Sequence, residues 1–283
     1  MKNFIIRVYK KLGLLQFINL NGINTINGKK VIVPVLGGIG IDNLQVYDEW
    51  LTAVLIKLRP YFKGTFLDIG VNLGQTLIKA YSVFDKVEYI GFEPNSNCVS
   101  YAQEVIALNK YKNCTLIPAG ISSESQVIKL NFYSDVKNDQ SASIIEQFRP
   151  DQEIHHSVYV PVFEFSKLKH ILNNNKHGIL KIDVEGAELE VLEGLIDWIR
   201  ECQPIILVEV LPVYKKENLF RLQRQEKMQN ILQSLAYRIS RINKNTIKIE
   251  DLDEIGVHAN IDDSDYMFYP AVLKESLHKT FSS

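Results

Sequence analysis

The chain has few cysteines, no long apolar run and no excess of either charge, and each lack removes a class of protein. Cys98, Cys114 and Cys202 are the only three in 283 residues and form no CxxC pair. Neither a disulfide scaffold nor a structural zinc site is therefore expected, and a reducing compartment fits an odd thiol better. No stretch approaches the roughly eighteen uninterrupted apolar residues of a membrane span. The first twenty residues are broken by Arg7, Lys10 and Lys11, which also rules out a clean secretory core. The expected location is the cytoplasm. Lys plus Arg number 32 against 33 for Asp plus Glu, so there is no global positive field to gather nucleic acid, and none is expected as a partner.

What is present is a folded protein: 46% apolar residues, 23% charged, and aromatics along the whole chain. These proportions exclude disordered and collagen-like polymers. Residues 2–20 place Phe4, Ile5, Val8, Leu12 and Leu15 at helical spacing among Lys2, Arg7, Lys10 and Lys11. Such a basic amphipathic helix can lie on an anionic membrane, as a peripheral contact, or pack on its own domain or on a sister subunit in a homodimer. Packing is the expectation, because most apolar faces exist to be buried. Ile23–Ile26 and Val31–Val35 flank Asn27-Gly28, the dipeptide of a type I′ hairpin. Val46, Trp50, Val54, Leu55 and Leu58 then predict a helix ending at Pro60.

From residue 65 short apolar runs alternate with helical segments, the mark of a parallel sheet with crossover helices. Predicted strands are Thr65–Ile69, Lys86–Phe92, Thr115–Pro118, Ile179–Ile182 and Ile205–Val210, followed by Tyr237–Ile242 and Tyr266–Val272, with an extra strand at Val127–Tyr133. Helices are predicted at Leu77–Val83, Val99–Leu108 and Leu189–Ile199, and a charged helical segment spans 213–230. Residues 134–157 read as a long polar loop carrying His155 and His156. The expected organisation is a lead-in of helix, hairpin and helix over 1–60, a main doubly wound α/β domain over 61–273, and a frayed tail over 274–283.

Open α/β sheets bind ligands beyond the carboxyl ends of their strands, where the winding reverses. Four of the five ends here carry a carboxylate: Asp68, Glu93, Asp183 with Glu185, and Glu209. The loop after the first strand, Gly70-Val71-Asn72-Leu73-Gly74, lets backbone approach a ligand at a helix start. Asn72 occupies the position where a dinucleotide needs bare glycine, which argues against a pyrophosphate. Glu93 lies 23 residues beyond Gly70, near the spacing at which an acid accepts ribose hydroxyls. A phosphate-free, cationic ribonucleoside fits this set, and S-adenosylmethionine is such a molecule. The bland alternative is a tight turn beside a solvated acid.

Leu180–Glu188 is the sharpest segment. Closely packed carboxylates beside buried strand residues raise each other's pKa, which makes Asp183, with Glu185, the candidate proton acceptor. Glu188 is read as a complement to the helix dipole. His155 or His156 is the alternative base. A divalent metal held by Asp183, Glu185 and Glu209 is the weaker option, and the expectation is that no metal is used.

DIGVNLGQT (68–76), GFEPNSN (91–97), NDQSASI (138–144), KIDVEGAELEVLEGL (181–195) and PIILVEV (204–210), in this order, resemble the FkbM-type methyltransferases. The resemblance implies a Rossmann-like class I fold of seven strands, mostly parallel with the last antiparallel and with helices on both faces, and S-adenosylmethionine as cofactor. It implies O-methylation of a hydroxyl on a sugar, glycan or natural product. Carried over by position, Asp68, Gly70, Asn72 and Gly74 line the methionine end, Glu93 holds the ribose, and Ala119 and Gly120 sit near the adenine. Asp183 and Glu185 then face the methyl group or the acceptor. Val71, where the family often has Ala, is a departure. The rival readings are an NAD-dependent oxidoreductase on a related sheet and a methyltransferase fold that has become a scaffold.

Overall fold

The chain begins with helix α1 (Lys2–Lys11) and the hairpin β1 (Asn19–Ile26) and β2 (Lys29–Leu36), followed by α2 (Glu49–Leu58). The main alternation runs β3 (Thr65–Ile69), α3 (Gln75–Val83), β4 (Glu88–Phe92), α4 (Ser96–Asn109), β5 (Cys114–Ile117), β6 (Gly120–Ile121), β7 (Gln126–Phe132), β8 (His156–Phe163) and β9 (Ile179–Ile182). It continues with α5 (Glu188–Cys202), β10 (Ile205–Glu209), α6 (Leu219–Ser234), β11 (Tyr237–Asn243), β12 (Lys248–Leu252), β13 (Asp265–Pro270) and α7 (Lys274–Ser282). This computed structural model describes all residues except 1, 46, 47, 136–138, 140, 150, 169, 172–177 and 283.

The central sheet has the order β12-β11-β13-β10-β9-β3-β4-β5. Strands β5, β4, β3, β9 and β10 are mutually parallel, and β13 is antiparallel to both of its neighbours. The winding reverses between β3 and β9: successive strands step outward through β4 and β5 on one side and through β10 on the other. Alternating side chains feed two cores. Phe66, Tyr89, Ile179 and Ile205 face α2, α3 and the β1–β2 hairpin, which contributes Val31 and Val33. Leu67, Ile90, Leu180 and Ile206 face α5 and α6. Burial on both sides explains why β3 and β9 read as apolar runs with the bounds seen here.

Asn27 (φ 48°) and Gly28 (φ 74°) make the expected two-residue turn, and Ile26 pairs with Lys29 across it. Several other expectations are corrected. The seven expected strands, with β13 antiparallel among them, are joined by an eighth, because β12 adds a largely exposed edge to β11. The segment called a loop to residue 157 turns into β8 at His156, which pairs with β7 and β6 in a separate three-stranded sheet. The tail is not frayed: α7 buries Leu277 and Phe281 against the first core. Lys57 Nζ donates to the Thr280 carbonyl at 3.0 Å. Helix α1 stops at Lys11, with Gly13 at φ 69° beyond it. It packs through Ile6 and through Asn3, whose amide bonds both the N–H and the carbonyl of Ile23, so Phe4 and Leu12 face outward. Val46 of the second predicted helix, and Asn138 and Gln140 of the polar loop, lie outside the described residues.

Candidate active site

The winding reversal leaves β3 and β9 side by side with diverging loops above them, and a cavity of about 580 Å³ opens there. The first loop is built on left-handed backbone: Gly70 at φ 93°, Asn72 at 47° and Gly74 at 76°. It is pinned from two directions. Gly70 and Val71 donate their N–H groups to the Phe92 carbonyl at 2.9 and 3.2 Å, and Asp183 donates its N–H to the Ile69 carbonyl at 2.9 Å. The Glu93 carboxylate then accepts the N–H of Asn72 on one oxygen and the N–H of Asn95 on the other, both at 2.8 Å. Glu93 thus clamps the first two loops together. Burial pushes its carboxyl up to about 7, against the pull of the two amide donors.

Gly70, Asn72, Glu93, Gly120, Asp183 and Glu185 line this cavity together, as does Glu209. Asp68, Gly74 and Ala119 stand back from it. Asp68 is fully buried, accepts the Tyr89 hydroxyl, and keeps its other oxygen without a partner among the described residues. Burial raises its carboxyl to about 7, with Tyr89 and Lys181 opposing.

The third side is the β9 end. Lys181 is buried and its ammonium lies 3.2 Å from Asp183, whose own side chain is 41% exposed. Asp183 is therefore a carboxylate held in orientation yet open to the cavity. Glu185 differs. Its backbone is left-handed at φ 51°, its carboxylate pairs with Arg149 at 2.6 Å, and its carbonyl accepts the Ser143 hydroxyl at 2.7 Å. It anchors the segment around residues 143–149 over the site, and burial lifts its carboxyl to about 7 while Arg149 opposes. Glu188 accepts the Gly186 N–H at the start of α5, as its reading as a helix-start residue requires. Glu209, also raised to about 7 by burial and by Asp183, accepts from Ser264.

The two histidines proposed as alternative bases are elsewhere. His156 stacks on Phe132 with ring centroids 4.4 Å apart, His155 lies 3.3 Å from Asp135, and neither lines the cavity. Conversely, sequence reading missed the wall supplied by α2 and by the turn after β11. Trp50 donates its indole N–H to Asp48 at 3.1 Å, and the Lys244 ammonium lies over the Trp50 ring while pairing with Asp265 at 2.6 Å. It also missed Lys79, a buried lysine in α3 that reaches the cavity. A charge amid the apolar residues of a crossover helix was the available signal. Among the described residues no group of three His, Cys, Asp or Glu side chains could hold a metal ion, and no helix is long and apolar enough to cross a membrane.

An antiparallel β13 inserted between β10 and β11 of a mostly parallel sheet, with a ligand-sized cavity at the switch point, defines a Rossmann-like class I methyltransferase fold. Residues 68–239 match the sequence model of the Methyltransferase FkbM domain, and the chain belongs to that family. It is 28% identical over 155 residues to Methyltransferase 1 of Beauveria bassiana (strain ARSEF 2860), covering 50% of this chain and 62% of that one. The match thus spans less than two thirds of that relative's length. Among solved structures it is similar to methyltransferase FkbM from Methylobacillus flagellatus KT, at a TM-score of 0.46 and 18% identity, over 74% of this chain and 44% of that one. It is also similar to precorrin-6y C5,15-methyltransferase from Geobacter metallireducens GS-15, at 0.39 and 12%, over 78% and 86%.

Proposed function

We propose that the protein transfers a methyl group from S-adenosylmethionine to a hydroxyl of a sugar, glycan or natural product. The observation that carries this reading is the juxtaposition, in one cavity, of the Glu93-clamped glycine loop and the half-open carboxylate of Asp183. The residues suit a phosphate-free nucleoside with a cationic end. A β-carbon on Gly70 would strike the Asp183 carbonyl at 1.9 Å, so the loop keeps bare backbone against the site. The unpartnered oxygen of Asp68 adds negative potential behind it.

In this reading Glu93 receives the ribose hydroxyls, Gly70 and Asn72 border the methionine end, with Asp68 and Gly74 shaping that loop from behind, and Ala119 and Gly120 approach the adenine. The cofactor supplies an electrophilic methyl group on a sulfonium. The chain's work is to hold the acceptor oxygen in line with it, and positioning of this kind is worth about 7–11 kcal/mol. Asp183, which Lys181 orients, would accept the proton that the acceptor hydroxyl gives up on transfer. Glu185 acts beside it by holding Arg149 and the overlying segment. Trp50, Asp48 and Glu209 offer an aromatic face and acceptors for a polyhydroxylated acceptor. Calorimetry tests the reading: S-adenosylhomocysteine should bind and NADH should not, and the reverse preference would replace it with the oxidoreductase.

A further inference from the structure

Among the described residues three lysines line the cavity: Lys79, Lys181 and Lys244. Two are committed. Lys181 pairs with Asp183 and Lys244 with Asp265. Lys79 is 3% exposed, and its ammonium makes neither hydrogen bond nor ion pair with a described residue. Burying an ammonium with no direct partner is costly, and a fold retains one where something completes the balance.

The position of Lys79 narrows what that something is. It lies in the second turn of α3, whose first residue follows Gly74, so its side chain leans back toward the helix start and the 70–74 loop. Asp48, Lys181, Asp183 and Asp68 surround it at a distance, placing it beside the methionine end as proposed above. Burial pushes its ammonium down from the ordinary lysine range, and an anion at the site would oppose that push. A sulfonium nucleoside with an amino-acid tail brings one carboxylate whatever the acceptor is.

We propose that Lys79 is the cation that receives the tail carboxylate of the cofactor. The proposal rests on the S-adenosyl reading of the cavity and adds to it a residue and a charge. The test compares S-adenosylhomocysteine with its decarboxylated form, S-adenosyl-3-thiopropylamine, by calorimetry on the full chain and on Lys79→Met. Loss of a buried charge partner should weaken the carboxylate-bearing ligand by about 30-fold or more. The decarboxylated ligand should bind both proteins alike, which also certifies that the variant is folded. Lys79→Gln, which keeps a polar end, reads the same ratio should the Met variant fail to fold. An equal loss for both ligands, or no loss for either, overturns the assignment of Lys79 while leaving the cofactor reading intact. A wild-type chain that binds neither ligand overturns both.

Discussion

The carbonyl oxygen of Asp183 occupies the place a side chain on Gly70 would need: a β-carbon built there falls 1.9 Å from it. The two strand ends that bracket the winding reversal are thus in backbone contact, and Gly70 at φ 93° is the residue that permits it. Gly70→Ala meets both an unfavourable backbone conformation, about 1–3 kcal/mol, and overpacking of similar size. The expected result is a lower melting temperature and loss of S-adenosylhomocysteine binding. Scanning fluorimetry with and without the ligand measures both, and a variant that melts and binds like wild type removes the contact from the account.

Asp183 is the carboxylate that is oriented and still reachable. Asp183→Asn keeps the shape and removes the proton acceptor, so turnover should fall by about 10²–10⁴. Affinity for S-adenosylhomocysteine should stay close to wild type, because Glu93 and the glycine loop are untouched. Labelled methyl transfer and calorimetry on the same preparation separate the two quantities. Retained turnover would pass the role of base to another group.

Glu93 should make cofactor affinity depend on pH. Its carboxyl is pushed up to about 7 by burial, so the ionised form that accepts ribose hydroxyls predominates only above that value. Affinity for S-adenosylhomocysteine should rise from about pH 6 to about pH 8 and level off. In Glu93→Gln it should be weaker and flatter over that range. A wild-type profile with the opposite slope would separate Glu93 from the ribose.

How far the site was legible follows from what each residue signals. Strand ends are topological, so the acids at the ends of β3, β4, β9 and β10 could be found by counting runs, and Asn27-Gly28 encodes its own turn. Exposure to the cavity is not so encoded. Asp68 and Glu209 look alike in the chain, yet one is sealed behind Tyr89 and the other lines the wall. The pairing of Arg149 with Glu185 joins residues 36 apart that no local pattern connects. β12 escaped because an exposed edge strand of mostly polar residues has no apolar run to show, and α7 because only Leu277 and Phe281 of its residues are buried.

The same raised carboxyls predict how stability responds to pH. Asp68, Glu93, Glu185, Glu188 and Glu209 each sit at about 7 in the folded chain, above ordinary values of 3.8 for Asp and 4.5 for Glu. Between the two values the folded state holds protons that the unfolded chain has released. Stability therefore falls as pH rises through that window. His258, lowered by burial, acts the other way, whereas Asp265, raised by burial, adds to the five. The ligand-free protein should melt at a lower temperature at about pH 7 than at about pH 5. A melting temperature that climbs over this range would mean that the acids are not buried as described.

The end of the chain offers a test that leaves the cavity alone. Phe281 is 2% exposed in the first core, and the Lys57 ammonium stands 5.7 Å from its ring centre. One and two turns earlier, His278 and Lys274 reach Asp251, which also accepts the hydroxyls of Ser240 and Tyr269. Helix α7 thereby ties β11, β12 and β13 together. Phe281→Ala should cost about 3–5 kcal/mol, the range for emptying a buried aromatic site. Urea denaturation reads this as a lower midpoint with an unchanged slope. Affinity for S-adenosylhomocysteine in the folded fraction should not move, since no residue of α7 lines the cavity. An unchanged midpoint would mean that these residues do fray, and that the first core closes without them.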